Sequence, residues 1–509
     1  MTKEIDIVLA IAPRIQDDFG YTPAGPALLK GSLNAAGFSS KIIDLNADID
    51  ARFREHPDRV AVDNFFLFHN FYNARIWEML SQIFEEWAQQ ITDLRPKWVG
   101  INVFSYNSHR ATRLLALAIK RKDPGIKIVI GGGGIATDFK FPEDLVGKKI
   151  IDAYIRGEGE HALIALLNGE MDHPGVNGKP PRQIIDVDDL PFPDYDDYEL
   201  QTYTNLKGLE ALPITGSRGC VRACTFCDVA SQWPKFYYRS GKNIAAEIRH
   251  QVEKYGVKAF RFTDSLINGS MKAFREMISE LAIYRESLPE GRRFIWDTHF
   301  IVRSRSQMPP EDFDMMARAG AGTMLIGIES GSPSVREHMR KGFTEDDLNY
   351  TMSQLDRVGI KCRMLMIVGY PTETEEDFNL TLDMFDRYVP YLLRGNIEEV
   401  NLGLTLNLLP GTPLSQEKES MNILQTNGHI NDWVCLDNPS LTFKERLRRR
   451  ILLQAHCERL GYKIFESKNY TKQLFSAWEE VKNSPTTSEA MAARSLRYDS
   501  EKKSLVYNT

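Results

Sequence analysis

Three cysteine residues have the types and spacing best suited to chemistry in this sequence. Cys220, Cys224 and Cys227 lie within eight positions, directly after the glycine-punctuated segment Gly216–Gly219. Three thiolates are one fewer than a structural zinc site or a closed iron–sulfur cubane requires. A [4Fe–4S] cluster held by three thiolates keeps one iron open to an external ligand, as a catalytic metal site does. The odd number of ligands therefore predicts a reactive cluster.

Two other interpretations of the cysteines are weaker. A three-cysteine zinc site would need a histidine, and the nearest downstream one, His250, follows Cys227 by 23 residues in a predicted helix. The remaining cysteines are isolated, and we expect Cys362, at the start of a predicted strand, and Cys457, in a predicted helix, to belong to the core. Cys435 is isolated as well.

The motif CxxxCxxC, with the aromatic Phe226 before its third cysteine, resembles the cluster loop of the radical S-adenosylmethionine (radical SAM) superfamily. The resemblance implies that S-adenosylmethionine binds the open iron through its amino and carboxylate groups. It also implies reductive cleavage to a 5′-deoxyadenosyl radical. Further segments match the superfamily in the same order, from residue 212 to the PGTP turn at Pro410–Pro413. The residues that the resemblance assigns to S-adenosylmethionine binding are Phe226, Asp264, Ser265, Arg303, Glu329, Ser330 and Gly369.

These assigned positions follow predicted strands of the barrel. The resemblance places Asp264 against the methionyl amine and Glu329, within an ESGS segment, against the ribose hydroxyls. Arg303 would pair with the methionyl carboxylate, which suits a planar guanidinium, unless Arg303 or Arg305 is only a surface charge. Gly369 begins a GxPxET-like turn whose backbone can approach a ligand, whereas the threonines of that turn could serve only as helix caps.

Strands and helices alternate through both halves of the chain, which predicts parallel α/β sheets. In the N-terminal half, helices are predicted over Ala27–Ala36 and His109–Arg121. The strands predicted there are Asp6–Ala12, Lys41–Leu45, Trp98–Phe104, Lys127–Ile130 and Ala153–Ile155. Six strands predicted in the C-terminal half fit a partial TIM-like barrel, in which the loops after strands carry function. They are Leu212–Gly216, Lys258–Thr263, Phe294–Phe300, Thr323–Ile328, Cys362–Val368 and Glu399–Thr405.

These patterns divide the chain into five parts. Residues 1–173 form a doubly wound, Rossmann-like sheet domain, whose aromatic-rich insertion at 62–91 packs as helices or forms a lid. Residues 174–210, rich in Pro and Asp, are typical of a linker. Residues 211–415 form the (β/α)6 radical SAM barrel, 416–482 a helical region and 483–509 a flexible tail. We expect the basic run Lys444–Arg450 to be a solvated helix face, and docking of a partner is the alternative.

The N-terminal half resembles the cobalamin-binding domain that precedes many radical SAM barrels. A corrinoid needs a flat surface at the carboxyl ends of parallel strands, and small residues supply it without side-chain bulk. The residues that the resemblance assigns to cobalamin binding are Thr22, Pro23, Ala24, Gly25, Ser105, Asn107, Gly131, Gly132, Gly133, Gly157 and Glu158.

One feature of other cobalamin proteins is missing from the sequence. The DxHxxG motif, which supplies a lower axial histidine to the cobalt, does not occur, and His109 at the start of a predicted helix is more simply a surface residue than a ligand. The domain could also keep the fold without cobalamin. A dinucleotide site at Gly131–Gly134 is disfavoured, because the GxGxxG fingerprint belongs to the first strand–helix turn of its unit.

Composition excludes several classes of protein. The 509 residues exceed one core, the net charge of −6 is unlike that of proteins that coat nucleic acid, and no apolar run is long enough to span a membrane. The acidic segment Met1–Asp6 does not resemble a secretory signal, so we expect a cytoplasmic protein. The expected partners are a small-molecule substrate and an external one-electron reductant of flavodoxin or ferredoxin type, without nucleic acid.

The resemblance implies a cobalamin-dependent radical SAM enzyme with three cofactors: a [4Fe–4S] cluster, S-adenosylmethionine and cobalamin. Such enzymes most often methylate an unactivated carbon. A ring-forming oxidative cyclase, like the anaerobic magnesium-protoporphyrin ester cyclases, shares this domain order and is the alternative. A non-catalytic corrinoid or iron–sulfur sensor is the alternative of another class. A methylthiotransferase is disfavoured, because no second cysteine triplet precedes Cys220.

Overall fold

The computed structural model describes residues 4–14, 21–68, 71–136, 140–203, 208–403, 405–425 and 430–465, together with a few positions further on. The chain divides into two compact units, residues 1–214 with 250–259 and residues 215–249 with 260–509. Within the described residues, no helix is long and apolar enough to cross a bilayer.

Five parallel strands form the sheet of the first unit: β1 (Ile5–Ile11), β2 (Ser40–Asp44), β3 (Pro96–Asn102), β4 (Lys127–Gly131) and β5 (Ala153–Ile155). Their order in the sheet is β2-β1-β3-β4-β5. In a doubly wound sheet of this order, the direction of winding reverses between β1 and β3, and ligands bind beyond the carboxyl ends of the strands at that point. The predicted doubly wound domain is confirmed.

Helices connect these strands: α1 (Ala24–Ala35), α2 (Leu45–Phe53), α3 (Arg59–Leu67), α4 (Ala74–Asp93), α5 (His109–Lys122), α6 (Lys140–Gly147) and α7 (Gly159–Leu167). The aromatic insertion forms α3 and α4. Helix α4 buries one face at helical spacing, including Leu80, Phe84 and Trp87. The guanidinium of Arg110 in α5 lies 3.8 Å from the ring centroid of Phe65 in α3. Most of the insertion therefore packs into the core of the unit.

The predicted linker, residues 174–210, is held against the first unit. Lys30 of α1 donates to Asp197 at 2.5 Å, and Gly31 lies so close to the Phe192 carbonyl that a side chain there would collide. Tyr203 donates to the Asp44 carboxylate at the end of β2. The described residues of this segment form no long helix or strand, and its polar residues and aromatic rings attach it to α1 and β2.

The second half of the chain begins with β6 (Ala211–Ile214), β7 (Ser217–Arg218), β8 (Tyr237–Tyr238), β9 (Ala259–Phe262), β10 (Ile295–Phe300), β11 (Ala321–Glu329), β12 (Lys361–Met366) and β13 (Ile397–Asn401). Strands β7 and β8 pair with each other. The others form one sheet in the order β13-β12-β11-β10-β9-β6, with β10 to β13 parallel. This is the predicted partial barrel of six strands.

Helices follow the barrel strands: α8 (Val229–Gln232), α9 (Gly241–Tyr255), α10 (Met271–Ser287), α11 (Pro310–Arg318), α12 (Pro333–His338), α13 (Glu345–Val358), α14 (Glu375–Leu393) and α15 (Pro413–Gln416). Thr374 and Asp377 form a capping box at the start of α14. A threonine of the GxPxET-like turn therefore does serve as a helix cap.

Beyond the barrel, β14 (Ile423–Gln425) pairs antiparallel with β15 (Trp433–Cys435), and α16 (Phe443–Leu460) follows. Two further strands, β16 (Leu496–Asp499) and β17 (Ser504–Tyr507), lie in the predicted flexible tail. The rest of that tail lies outside the described residues.

The expectation that Lys444–Arg450 is a solvated face is wrong. Arg446, Arg449 and Arg450 of α16 are at most 3 % exposed. The Arg446 guanidinium lies 3.7 Å from the Trp433 ring centroid and donates to three main-chain carbonyls, while Arg449 donates to the buried Glu373 carboxylate at 3.0 Å. Buried guanidinium groups are tolerated here because carbonyl and carboxylate oxygens replace water.

Candidate active site

The three cysteines lie on the loop between β7 and α8 and line one cavity. Gly219 has a φ of +90°, and a side chain there would meet the Lys235 carbonyl oxygen at 2.6 Å, so the loop requires glycine at this point. We call the space the cysteine cavity. Its other lining residues are Arg222, Phe226, Val229, Ser265, His299, Phe300, Ile301, Val302, Leu325, Gly327, Glu329, Lys341, Phe343 and Leu365.

The three thiols line one common space. Among the described residues, no three His, Cys, Asp or Glu side chains converge closely enough to share one metal ion. A cubane cluster takes one thiolate at each of three irons, so its ligands need only surround a common space. Burial raises the pKa of all three thiols, to about 11 for Cys227. Iron binding would therefore displace a proton from each.

The loop that carries the cysteines is fixed at several points. The main-chain N–H of Thr225 donates to the Met339 carbonyl at 3.1 Å, and the Thr225 hydroxyl lies 2.9 Å from the Tyr370 hydroxyl. Arg222 donates to the carbonyls of Gly342 and Val302 at 2.9 and 3.3 Å. These contacts join the loop to the segments that follow α12, β12 and β10, so the thiols have a defined setting without metal.

Asp264 and Ser265 follow β9 but have different surroundings. Ser265 lines the cysteine cavity. Asp264 does not; its buried carboxylate accepts from the Gly216 N–H at 2.9 Å and from the Ser217 hydroxyl. Burial raises the pKa of Asp264 to about 6. These hydrogen bonds anchor the start of the cysteine loop, and the contact of Asp264 with the methionyl amine stays a prediction.

Glu329 and Ser330 end β11, and the structure separates them as well. Glu329 lines the cavity with a φ of +70°, and its Oε1 accepts from Lys341 Nζ at 3.1 Å. Ser330 is buried, and its hydroxyl accepts from the Ser332 N–H at 3.1 Å next to Thr381 of α14. Of the two, only Glu329 faces the cavity.

Arg303 and Gly369, two further residues assigned to S-adenosylmethionine, do not line the cavity. Arg303 donates to the carbonyls of Asn268 and Gly269 at 2.8 and 2.9 Å, and burial lowers its pKa. Gly369 has a φ of +83°, and the side chain of Arg446 occupies the place where a Cβ would stand. The glycine admits the buried arginine, and the expectation that it admits a ligand is not what the structure shows.

His299 is a cavity residue that the sequence analysis did not assign. Its Nδ1 lies 3.1 Å from the Asp264 carbonyl oxygen, so Nδ1 carries the proton and Nε2 is left as an acceptor. Burial, followed by the charge of Arg261, lowers the pKa of His299 to about 4. The alternation along β10, where Trp296 and Thr298 are buried on the opposite face, is the signal that could have found it.

Lys341 is another cavity residue that the sequence analysis did not assign. It follows Glu329 by twelve residues, after a strand end and a short helix, and no periodic pattern connects the two positions. The ion pair between them is 12 % and 10 % exposed. Only the folded chain brings the two charges together.

In the first unit, the candidate site lies at the carboxyl edge of the sheet. Phe104 and Tyr106 follow β3 and are 57 % and 55 % exposed. The Arg14 guanidinium, beyond β1, lies 3.6 Å from the Phe104 ring centroid. Gly132 has a φ of +114°, and a side chain there would meet the Val103 carbonyl oxygen at 2.7 Å, so the loops after β3 and β4 pack closely.

The residues assigned to cobalamin surround this edge unevenly. Thr22 is buried just before α1, and its hydroxyl has no partner among the described residues. Gly157 and Glu158 contact the predicted linker: Gly157 lies against Pro181, and the Glu158 carboxylate accepts from the Ile184 N–H. The other assigned residues lie at the start of α1 and in the loops after β3 and β4: Pro23, Ala24, Gly25, Ser105, Asn107, Gly131, Gly132 and Gly133.

His109 is neither an exposed residue nor available to a metal. It is 2 % exposed, its Nε2 lies 2.7 Å from the Gly134 carbonyl oxygen, and its ring stacks on Phe141 at 3.8 Å. The expectation of a surface histidine is wrong, because the ring fills the space between α5 and the glycine-rich loop.

Comparison with known proteins assigns both units. Residues 214–385 match the radical SAM superfamily, and residues 18–167 match the B12 binding domain. The chain therefore contains a radical SAM domain and a B12-binding domain. The predictions of a radical SAM enzyme and of its three cofactors are confirmed at the level of these families.

Several curated proteins are similar to this radical SAM protein. An uncharacterized methyltransferase of Pyrococcus horikoshii is 27 % identical over 59 % of the chain and 66 % of its own length. The anaerobic magnesium-protoporphyrin IX monomethyl ester cyclase of Synechocystis is 28 % identical over 56 % of the chain and 58 % of its own length. The chain thus spans about three fifths of the length of these curated relatives.

Two solved structures share the fold of this radical SAM protein. The cobalamin-dependent S-adenosylmethionine radical enzyme OxsB, with aqua-cobalamin and S-adenosylmethionine bound, aligns with a TM-score of 0.65 at 16 % identity, over 94 % of this chain and 71 % of OxsB. The methyltransferase TsrM from Kitasatospora setae, with cobalamin and a [4Fe–4S] cluster bound, aligns with a TM-score of 0.58 at 18 % identity, over 84 % and 78 %. At these identities the likeness concerns the fold alone.

Proposed function

We propose that this protein cleaves S-adenosylmethionine at a [4Fe–4S] cluster and methylates an unactivated carbon of a small-molecule substrate with the help of cobalamin. The observation that carries the proposal is the cysteine cavity. Its lining contains three thiols and, among the described residues, no fourth cysteine. That donor set fits a cluster with one iron left open to an external ligand.

When bound, the cluster with S-adenosylmethionine supplies a carbon-centred radical, and cobalamin supplies a methyl group. The chain supplies binding and orientation. Cys220, Cys224 and Cys227 hold the cluster. Glu329 keeps its second oxygen, Oε2, without a partner among the described residues, and this oxygen can accept from ribose hydroxyls. Ser265 offers a hydroxyl in the same cavity.

Apolar side chains make part of this space unfavourable for water. Val302, Leu325, Phe343 and Leu365 line the cavity around the polar groups. A water-poor cavity protects a reactive radical from side reactions and strengthens the electrostatic contacts that orient the substrate. His299 adds one neutral acceptor, Nε2, on the barrel side of this lining.

Cobalamin fits the carboxyl edge of the first sheet. The exposed rings of Phe104 and Tyr106 provide a flat apolar surface, and the unpartnered hydroxyl of Thr22 provides a polar group next to α1. His109 is engaged with Gly134, so the proposal places no protein histidine on the cobalt.

A ring-forming oxidative cyclase is the second candidate. The relative from Synechocystis bears that name, whereas those from Pyrococcus horikoshii and Streptomyces wedmorensis bear the names of methyltransferases. Methylation is preferred because two of these three curated relatives bear the names of methyltransferases. Product analysis distinguishes the two, since methylation adds one carbon to the substrate and cyclisation adds none.

The test is cleavage of S-adenosylmethionine without added substrate. The reconstituted protein, given an artificial or flavodoxin-type one-electron reductant, is expected to release 5′-deoxyadenosine and methionine. Cys224→Ala should abolish the release, whereas Cys457→Ala, in the core of α16 outside the cavity, should preserve it. A wild-type protein that holds its cluster yet never forms 5′-deoxyadenosine would instead be a sensor.

A further inference from the structure

A short segment after α12 brings a lysine to the cysteine cavity. Residues 339–342 run along the cysteine loop, joined to it at Met339 and Gly342 by the hydrogen bonds of Thr225 and Arg222. Arg340 has a φ of +57° and Gly342 a φ of +65°. Because the backbone turns at both positions, Lys341 lines the cavity while its neighbour Arg340 pairs with Glu417 at 3.0 Å outside it.

The ammonium of Lys341 contacts a carboxylate and an aromatic ring. Its Nζ donates to Glu329 Oε1 at 3.1 Å and lies 5.7 Å from the ring centroid of Phe226, the residue before Cys227. A side chain at Gly327 would collide with the Glu329 carboxylate and approach Lys341 Nζ at 3.1 Å. The absence of a side chain at Gly327 therefore leaves space for this ion pair at the end of the strand.

The ammonium also remains charged in this setting. Burial lowers the pKa of Lys341, but Glu329 and the nearby Cys224 and Cys227 raise it more, so the pKa lies above its usual value. The other groups facing the cavity are the cation Arg222, which is bound to two carbonyls, and neutral His299. Lys341 and Arg222 are thus both cations of the cavity, and Lys341 is the one paired with a carboxylate.

We infer that Lys341 sets the reduction potential of the cluster by stabilising its one-electron-reduced state. The inference rests on the proposed function, because it needs a cluster on the three cysteines. Reduction adds one electron, from an external reductant of flavodoxin or ferredoxin class, and takes the core from [4Fe–4S]²⁺ to [4Fe–4S]⁺. The anionic, thiolate-bound cluster gains one negative charge, and a fixed ammonium in a water-poor cavity favours that state.

Glu329 must shift the reduction potential of the cluster in the opposite direction. Its carboxylate partly neutralises Lys341, so removal of the carboxylate would leave the ammonium uncompensated and make reduction easier. Two substitutions in one ion pair thus predict shifts of opposite sign. A merely structural role would move the potential in the same direction for both, or not at all.

The experiment is a redox titration of the reconstituted full-length protein, followed by electron paramagnetic resonance and first without S-adenosylmethionine. Lys341→Met should make the reduction equilibrium about tenfold less favourable, which is a midpoint about 59 mV lower. Glu329→Gln should raise the midpoint, and Lys341→Arg should keep it near the wild-type value. Arg340→Met, which removes the same charge one residue away and outside the cavity, should leave it unchanged.

Iron and sulfide counts on each variant make the outcomes distinct. Fully loaded Lys341→Met with an unchanged midpoint would overturn this inference alone. So would shifts of the same sign for Lys341→Met and Glu329→Gln, or a shift that occurs only with S-adenosylmethionine present, since Lys341 would then be a ligand of that molecule. A wild-type protein that takes up no cluster would overturn the proposed function itself, and the inference with it.

Discussion

At the scale of single residues, Phe104 presents an aromatic ring at the edge where the first sheet reverses its winding. The ring is 57 % exposed and lies against the Arg14 guanidinium at 3.6 Å. An exposed ring held in one orientation is a surface for a flat ligand. Phe104→Ala is therefore expected to weaken cobalamin binding by roughly tenfold, the size of one aromatic contact.

The matched control is Phe68→Ala. Phe68 is 54 % exposed at the end of α3 in the same unit and is not among the residues of the proposed site. Titration of hydroxocobalamin, followed by absorbance after desalting, should show weaker binding for the first variant only. Equal retention by Phe104→Ala and wild type would remove Phe104 from the site.

The raised pKa of Asp264 predicts that the free energy of unfolding depends on pH. Its pKa of about 6 in the folded protein exceeds the value of about 3.9 expected in the unfolded chain, so the folded state binds more protons between those pH values. The free energy of unfolding should then fall as the pH rises from about 4 to 6. A difference of about 2 in pKa corresponds to about 3 kcal/mol at most.

Asp264→Asn should abolish this part of the pH dependence. Urea unfolding of both proteins between pH 4 and 7 measures it as a difference. Buried Glu373, whose pKa burial raises to about 7, is present in both proteins and cancels. Identical pH profiles for the two proteins would contradict the assigned anchoring role.

At the scale of elements, α16 holds the turn after β12 through its buried face. Arg449 donates to the Glu373 carboxylate and to the carbonyls of Glu373 and Thr374. Arg449→Ala would leave Glu373 buried without its ion-pair partner and should lower the free energy of unfolding by roughly 3–5 kcal/mol. Arg448→Ala, on the exposed side of the same helix, should cost about 1 kcal/mol or less.

Thermal unfolding of the two arginine variants, at one pH and salt concentration, measures this contrast. Similar destabilisation by both would mean that α16 acts through its charge as a whole. A small effect of Arg449→Ala would mean that water reaches Glu373 once the guanidinium is removed.

The elements themselves were largely predictable. The apolar runs of the strands gave their positions to within a few residues, for instance Ala153–Ile155 and β10, because buried parallel strands are nearly continuous in hydrophobicity. The burial of the basic run in α16 could not be predicted, because the sequence of a helix does not reveal which distant carbonyls and carboxylates contact it. Two of its three buried arginines, Arg446 and Arg449, contact Trp433 and Glu373, which lie outside the helix.

For the site, too, positions along the chain were predictable from the sequence, whereas contacts between distant residues were not. The spacing of the cysteines predicted their common cavity, and strand-end positions were informative for Ser265 and Glu329. Asp264 and Gly369 were found at the expected turns, but their contacts are with the chain itself, with Ser217 and Arg446. Resemblance gives the position of a turn, whereas the partner of its side chain depends on how the other turns pack.

At the scale of the whole molecule, each of the two units contains one candidate cofactor site. The first unit has the switch point of a doubly wound sheet and the second has the cysteine cavity. The two matched families cover these units in the same order, residues 18–167 and 214–385. The central claim is therefore that one chain binds both cofactors at once.

Anaerobic reconstitution with iron, sulfide and hydroxocobalamin, followed by desalting and metal analysis, tests that claim most directly. The account predicts roughly four irons and one cobalt per chain. In a variant with Cys220, Cys224 and Cys227 all changed to alanine, it predicts loss of the iron with retention of the cobalt. A folded wild-type chain that keeps four irons but no cobalt, or whose iron survives loss of the three cysteines, would contradict it.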